Sequence, residues 1–192
     1  MPALEFPDPA LTDGLVTLRP WRESDLERRF EAFSDPLCLR FSWPLTGTPS
    51  LAHVRERFAA QEEARLSGDE LPLAIVDAED HLWGGCSLYD FAPGEARASV
   101  GYWVAAGARG RGVATRTTRL LAGWAFEHLA LARLELVCEP ANVASQRVAE
   151  RCGFVREGVL RSHIPFQGGR RDSVIFSLLP GELLTSTALE VR

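Results

Sequence analysis

The chain has 192 residues, of which 46% are hydrophobic and 24% charged, and a formal net charge of −5 at pH 7. That length and apolar content predict one soluble domain with a sizeable core. The acidic balance argues against non-specific binding to nucleic acid or an anionic membrane, and mildly favours a cationic substrate.

Cys38, Cys86, Cys138 and Cys152 show no C-x-x-C spacing, and only four histidines are present, so no metal site is expected. The first residues have neither a basic head nor an apolar stretch, and no apolar run approaches membrane-spanning length. A cytoplasmic location with reduced cysteines follows as an expectation.

Residues 1–13, rich in proline and acidic residues, are expected as a flexible arm before a domain over 14–180 and a tail over 181–192. Leu15 to Pro20 reads as a strand stopped by proline. Leu26, Phe30 and Phe33 recur at helical spacing, and the segment ends at Asp35-Pro36. Phe41, Trp43 and Leu45 fall in a broken loop, packing on the core or lining a pocket. Thr48-Pro49-Ser50 starts a helix that Ser67-Gly68 ends. Leu71–Val76 and Leu82–Tyr89 predict two strands, and Gly84-Gly85 predicts a bulge or a close backbone neighbour. Ala98–Ala105 is the next strand, with Val100, Tyr102 and Val104 on one face and Ser99, Gly101 and Trp103 on the other.

The most informative stretch follows. Gly107, Gly110 and Gly112 surround Arg109 and Arg111 between that strand and an amphipathic helix. Glycines there let the backbone approach a ligand closely. The first N–H groups of a helix lack partners and sit at its positive end. The stretch is therefore suited to an anion, above all a phosphate. It is not a P-loop, because no Gly-Lys-Ser/Thr follows, and its glycines do not fall as in the dinucleotide fingerprint.

Val113, Thr117, Leu120, Leu121, Trp124 and Ala125 form the stripe of the following helix. Leu134–Glu139 is a short strand, and Asn142 caps a helix with Ser145, Val148, Ala149 and Cys152 inside, ending at Gly153. Phe154–Arg161 and Ser173–Leu179 read as a final strand pair, joined by a long loop holding His163 and Phe166. Hairpins first, then strands alternating with helices, predict a single α/β domain. Its mixed, mostly antiparallel sheet has six to seven strands flanked by about four helices.

Arg109-Gly110-Arg111-Gly112-Val113-Ala114, then Asn142-Val143-Ala144-Ser145, then Cys152-Gly153-Phe154 occur in the order of a GNAT N-acetyltransferase domain. The chain resembles the RimJ/RimL group of that superfamily from about Leu15 to Leu179, and Leu18-Arg19-Pro20 followed by Asp25-Leu26 suits it too. The resemblance implies acetyl-CoA as acyl donor and an amine acceptor. It implies two strands that part beside the pantetheine arm, with Trp103 and Val104 offering backbone groups. It places the pyrophosphate on the backbone of Arg109, Gly110, Arg111, Gly112, Val113, Ala114 and Thr115. It has Asn142 bonding the pantetheine, and Ser145 protonating or hydrogen-bonding the leaving sulfur.

Two departures stand out. The tyrosine that many members place before the Gly-Phe is Ala149 here. The glutamate many carry before the strand's Gly-Tyr is Ser99, and the later carboxylate of some RimL-type proteins is Ile164. Asp90, Glu95, His163 or water remain as candidate bases. A weak base favours a low-pKa acceptor, since about a tenth of α-amines are neutral at pH 7 but only about one lysine in two thousand. A protein N-terminal α-amine is the leading acceptor. An antibiotic or polyamine, or a non-catalytic acyl-CoA-binding module, is the alternative. No nucleic-acid or membrane partner is expected, and a homodimer is left open.

Overall fold

The computed structural model describes residues 2–41, 50–166 and 168–185. The apolar runs form eight strands: β1 (Leu11–Thr12), β2 (Thr17–Arg19), β3 (Glu70–Val76), β4 (Leu82–Ala92), β5 (Arg97–Val104), β6 (Arg133–Cys138), β7 (Val155–Phe166) and β8 (Gly169–Leu178). Five helices accompany them: α1 (Leu26–Phe33), α2 (Pro36–Phe41), α3 (Leu51–Ser67), α4 (Val113–His128) and α5 (Val143–Cys152). The sheet order is β1-β2-β3-β4-β5-β6-β8-β7. Every neighbouring pair is antiparallel except β5 and β6. The α/β domain and its mixed, mostly antiparallel sheet are as expected, with β1 and α2 as additional elements.

Helices cover both faces. Trp103 packs edge-on against Phe33 of α1, while its neighbour Tyr102 meets Ser145 of α5. Successive strand residues point to opposite faces, so α1 and α5 lie on opposite sides of the sheet. β3 is accordingly buried without a break from Leu71 to Val76. On α4, Val113, Thr117, Leu121, Ala122 and Ala125 are buried at helical spacing. Each fully buried leucine of this kind contributes about 1.5–3 kcal/mol.

The local signals locate most helix ends. Ser50 accepts a hydrogen bond from the His53 N–H at 3.1 Å, and Gly68 ends α3 in the left-handed region. Arg19 of β2 makes a bidentate pair with Asp25 at 2.8 and 3.0 Å, which fixes the start of α1 against the sheet.

Four expectations are corrected. The stretch expected as a flexible arm is packed: Leu4 is buried, and Leu11 and Thr12 pair with Leu18 and Thr17. At the other end, Leu183 packs on the core and the Leu184 N–H donates to Cys152 O at 3.0 Å. Asp35-Pro36 does not only stop α1. The Asp35 carboxylate accepts from the Leu37 and Cys38 N–H groups, Pro36 takes the first helical position, and α2 begins there, with Phe41 at its end. Trp43, Leu45, Thr48 and Pro49 lie outside the described residues.

The long loop holding His163 and Phe166 is instead a hairpin, with β7 paired to β8 as far as Phe166 and Gly169. Its register shifts between Leu160 and Ile164 around Ser162, whose N–H donates to Asp172. Gly84 and Gly85 pair in register with Val104 and Trp103, and the β4 bulge falls on Trp83 instead. A Cβ at Gly84 would run into the Trp103 carbonyl oxygen, so a close backbone neighbour is the reason for glycine there. Among the described residues no helix is long and apolar enough to cross a membrane.

Candidate active site

The parallel pairing of β5 with β6 covers only Arg97–Ser99 against Arg133–Glu135. Beyond it β5 stays with β4 as far as Val104, and β6 stays with β8 as far as Cys138. The two strands part, and a cavity of about 1090 Å³ opens along the gap. The Ala105 N–H donates to Trp83 O of β4 at 2.8 Å. Backbone groups alternate in direction along a strand, so those of Tyr102 and Val104 face the gap.

At one end of the gap lies the glycine loop. Gly110 and Gly112 both have φ of +76°, a conformation that side chains disfavour. Gly112 precedes α4, and the Arg116 N–H is the first to find a helical acceptor, Gly112 O at 3.0 Å. The N–H groups of Val113, Ala114 and Thr115 therefore have no helical acceptor, and these three residues line the cavity. A pyrophosphate fits this cradle by charge and by donor count.

Arg109 is committed elsewhere. Its guanidinium meets Asp35 Oδ1 at 2.5 Å, Cys38 Sγ at 3.2 Å and Val104 O at 3.0 Å, tying the loop to the start of α2. That hydrogen bond holds the Asp35 carboxyl below the usual carboxylate range. Arg111 stacks 5.6 Å over the Trp83 ring and does not line the cavity.

On the opposite wall, Asn142 caps α5 by accepting from the Ser145 N–H at 3.1 Å. This leaves the Asn142 side-chain NH2 without a hydrogen bond among the described residues. Ser145, one turn in, is hydrogen-bonded to Tyr102 through the hydroxyls at 2.8 Å. Burial pushes the Tyr102 phenol well above its ordinary value, the Ser145 hydrogen bond opposing. Burial likewise pushes the neighbouring Cys138 thiol up to about 11, again against Ser145. Both groups keep their protons at neutral pH, so Ser145 sits among neutral hydroxyl and thiol groups.

The cavity continues between β3, β4, α1 and α3, where Trp21, Arg29, Phe33, Arg57, Gln61, Glu70 and Tyr89 line it. Burial pushes the Tyr89 phenol up to about 12.

Trp103, Val104, Arg109, Gly110, Gly112, Val113, Ala114, Thr115, Asn142 and Ser145 all line this one cavity. Asp90, Glu95 and His163 do not. Asp90 and Glu95 lie at the exposed far end of the β4–β5 hairpin beside Arg97, at 3.7 and 3.1 Å. His163 stands on the outer strand of the sheet with Nδ1 3.1 Å from Ser173 Oγ. The ionisable groups of the lining include His53, Glu70 and Glu139 instead.

The sequence reading missed Tyr102, Arg29, Gln61 and Glu70. Two of these left a trace. Tyr102 shares the Val100 face of β5, and Arg29 breaks the helical stripe of Leu26, Phe30 and Phe33 with a charge.

Residues 16–155 match the family model of the acetyltransferase (GNAT) domain. The chain is 32% identical over 127 residues to the probable N-acetyltransferase YjcK of Bacillus subtilis (strain 168), covering 65% of this chain and 70% of that protein. It is 31% identical over 87 residues to the ribosomal-protein-serine acetyltransferase of Escherichia coli (strain K12), covering 45% and 49% of the two chains. The structure of Mycobacterium smegmatis RimJ in complex with CoA-disulfide superposes with a TM-score of 0.82 at 24% identity, covering 95% of this chain and 90% of that one. With its parted strands, glycine loop and family match, the chain belongs to the GNAT family of N-acetyltransferases.

Proposed function

We propose that this acetyltransferase moves the acetyl group of acetyl-CoA to a protein N-terminal α-amine by direct attack. The observation that carries the reading is the gap between β5 and β6, with the unpartnered N–H groups of Val113 to Thr115 at one end and the Tyr102–Ser145 pair on its wall. The loop donors hold the pyrophosphate, and Tyr102 and Val104 present backbone groups to the pantetheine. The Asn142 side-chain NH2 serves the same arm.

In this reading the amine nitrogen bonds to the thioester carbonyl carbon, and the carbon–sulfur bond breaks. Strand backbone donors stabilise the oxyanion. Ser145 gives its hydroxyl proton to the departing sulfur while the Tyr102 phenol hydrogen-bonds the serine oxygen, and the proton released by the amine returns to Ser145 through water. The amine attacks in its neutral form, and water on the acceptor side takes the proton that it loses. No acyl-enzyme is involved: burial raises the Cys86, Cys138 and Cys152 thiols, the opposite of an activated nucleophile. The α-amine is favoured by its accessible neutral form, and a protein acceptor by the Escherichia coli relative named a ribosomal-protein-serine acetyltransferase.

The test is release of free CoA from acetyl-CoA, followed with a thiol dye. The panel comprises N-terminal peptides, N-blocked lysine peptides, polyamines and aminoglycosides, with wild type and Ser145→Ala in parallel. Turnover on free N-termini that falls about a hundredfold in the variant supports the reading. Faster turnover on lysine side chains or polyamines overturns the acceptor assignment. Acetyl-CoA binding without turnover on any amine overturns the transfer itself.

A further inference from the structure

The acceptor half of the cavity holds a cation that, among the described residues, has no hydrogen-bonded or ion-paired carboxylate of its own, with only the longer-range charges of Glu70 and Asp25 acting on it. Arg29 lies on α1 with its guanidinium 4.4 Å from the centre of the Trp21 ring, and Trp21 stacks in turn on Trp103. Among the described residues this guanidinium makes no hydrogen bond or ion pair, and its Nη1 is buried. The surrounding carboxylates are committed elsewhere. Asp25 is taken by Arg19 in a bidentate pair, and Glu70 lies 3.7 Å from Arg57. Residues 42–49, between α2 and α3, include no acidic residue. Burial, and then the charge of Arg57, push the Arg29 guanidinium down to about 10.

A second group in the same half is also unpartnered. Gln61 of α3 is only 9% exposed, lines the cavity, and has a buried side-chain carbonyl oxygen without a donor. A buried polar group left unpaired loses the hydrogen bonds it had in water, so the site favours a ligand that restores them. A guanidinium on α1 needing an acceptor and an amide oxygen on α3 needing an N–H donor, both lining this cavity, describe a ligand that carries both. The local charge of Arg29, Arg57 and Glu70 is positive, opposite to that of the whole chain.

We infer that this half of the cavity receives a carboxylate carried by the amine substrate, with Arg29 as its cationic partner and Gln61 accepting an adjoining N–H. The inference rests on the acetyltransferase reading and narrows its acceptor to amines with a carboxylate close by. The chemistry is met by a peptide with Asp or Glu beside its N-terminal residue, or by a free amino acid.

The experiment compares Ser-Glu-Ala-Ala and Ser-Gln-Ala-Ala as C-terminal amides, and free serine with serinamide, measuring kcat and KM for wild type, Arg29→Gln, Arg29→Lys and Gln61→Leu. Acetyl-CoA affinity by calorimetry checks that each variant is folded. Peptide binding is also titrated directly in the presence of CoA. Wild type is expected to prefer the carboxylate over its amide by about tenfold or more in kcat/KM, mainly through KM. Arg29→Gln removes the preference, and Arg29→Lys restores part of it. Preference among the peptides alone, or among the free amino acids alone, identifies the source of the carboxylate. Equal use of carboxylate and amide acceptors, or a preference that survives Arg29→Gln, overturns the inference and leaves the transferase intact. Selective, Arg29-dependent binding of the carboxylate peptide without turnover keeps the anion site and overturns the transferase.

Discussion

Tyr102→Phe removes one oxygen and keeps the buried ring. The 2.8 Å hydroxyl pair with Ser145 is lost, leaving the Cys138 thiol as the side chain beside the Ser145 hydroxyl. A neutral hydrogen bond of this kind contributes about 1 kcal/mol to stability, so the variant should unfold only slightly earlier. Its effect on turnover should be larger. If Tyr102 aims the Ser145 proton at the sulfur, its loss raises the barrier by about 1.4 kcal/mol, a tenfold fall in kcat. Ser145→Ala should fall about a hundredfold, as expected for loss of a general acid. Because Tyr102 acts through Ser145, the double variant should be no slower than Ser145→Ala. The assay is thiol-dye kcat and KM for acetyl-CoA, with cofactor affinity by calorimetry as a control. Burial keeps the phenol protonated, so the wild-type-to-variant ratio should stay constant between about pH 6 and 9. Full kcat in Tyr102→Phe, or effects that multiply to about a thousandfold in the double variant, would refute the relay.

Gly84→Ala places a methyl group against the Trp103 backbone carbonyl, and should cost about 2 kcal/mol or more while weakening acetyl-CoA binding. Gly107→Ala, with nothing within 4 Å of its Cβ, is the neutral control in the same thermal melt and titration. Arg109→Gln breaks the tie to Asp35 and Val104, and should weaken acetyl-CoA several-fold; Asp35→Asn, which touches only the α2 side of that tie, should reproduce part of the loss. Glu157 is held down from 4.5 to about 2 by its hydrogen bonds with Arg133 and then Ser177. Its contribution is complete above pH 4.5 and is lost as pH falls towards 2, so Glu157→Gln should flatten the acid limb of stability. The side chain is 40% exposed, which limits the effect to under about 1 kcal/mol in acid-unfolding curves.

The elements legible in the sequence are those whose cause is local. Ser50, Asn142 and the glycines at 68, 112 and 153 set helix ends through their own backbone and capping groups, so α3 and α5 are readable with their boundaries and α4 with its start. The alternation along β5 separates Tyr102 from Trp103 for the same reason. The glycine loop, its unpaired helical N–H groups and Ser145 one turn inside α5 follow from spacing alone.

What only the tertiary structure decided depends on partners far apart in the chain. Asp35 reads locally as a stop, yet it also caps α2 and holds Arg109, 74 residues away. The edge hairpin carries His163 to the outer strand, and strand pairing carries Asp90 and Glu95 to the far end of β4 and β5, so none of the three reaches the cavity. Among the described residues Arg29 has no ion-paired carboxylate, because folding commits Asp25 to Arg19 and sets Glu70 beside Arg57. Local pattern fixes what each segment can become. Which charges are paired, and which face the cavity alone, is settled by long-range packing that no spacing records.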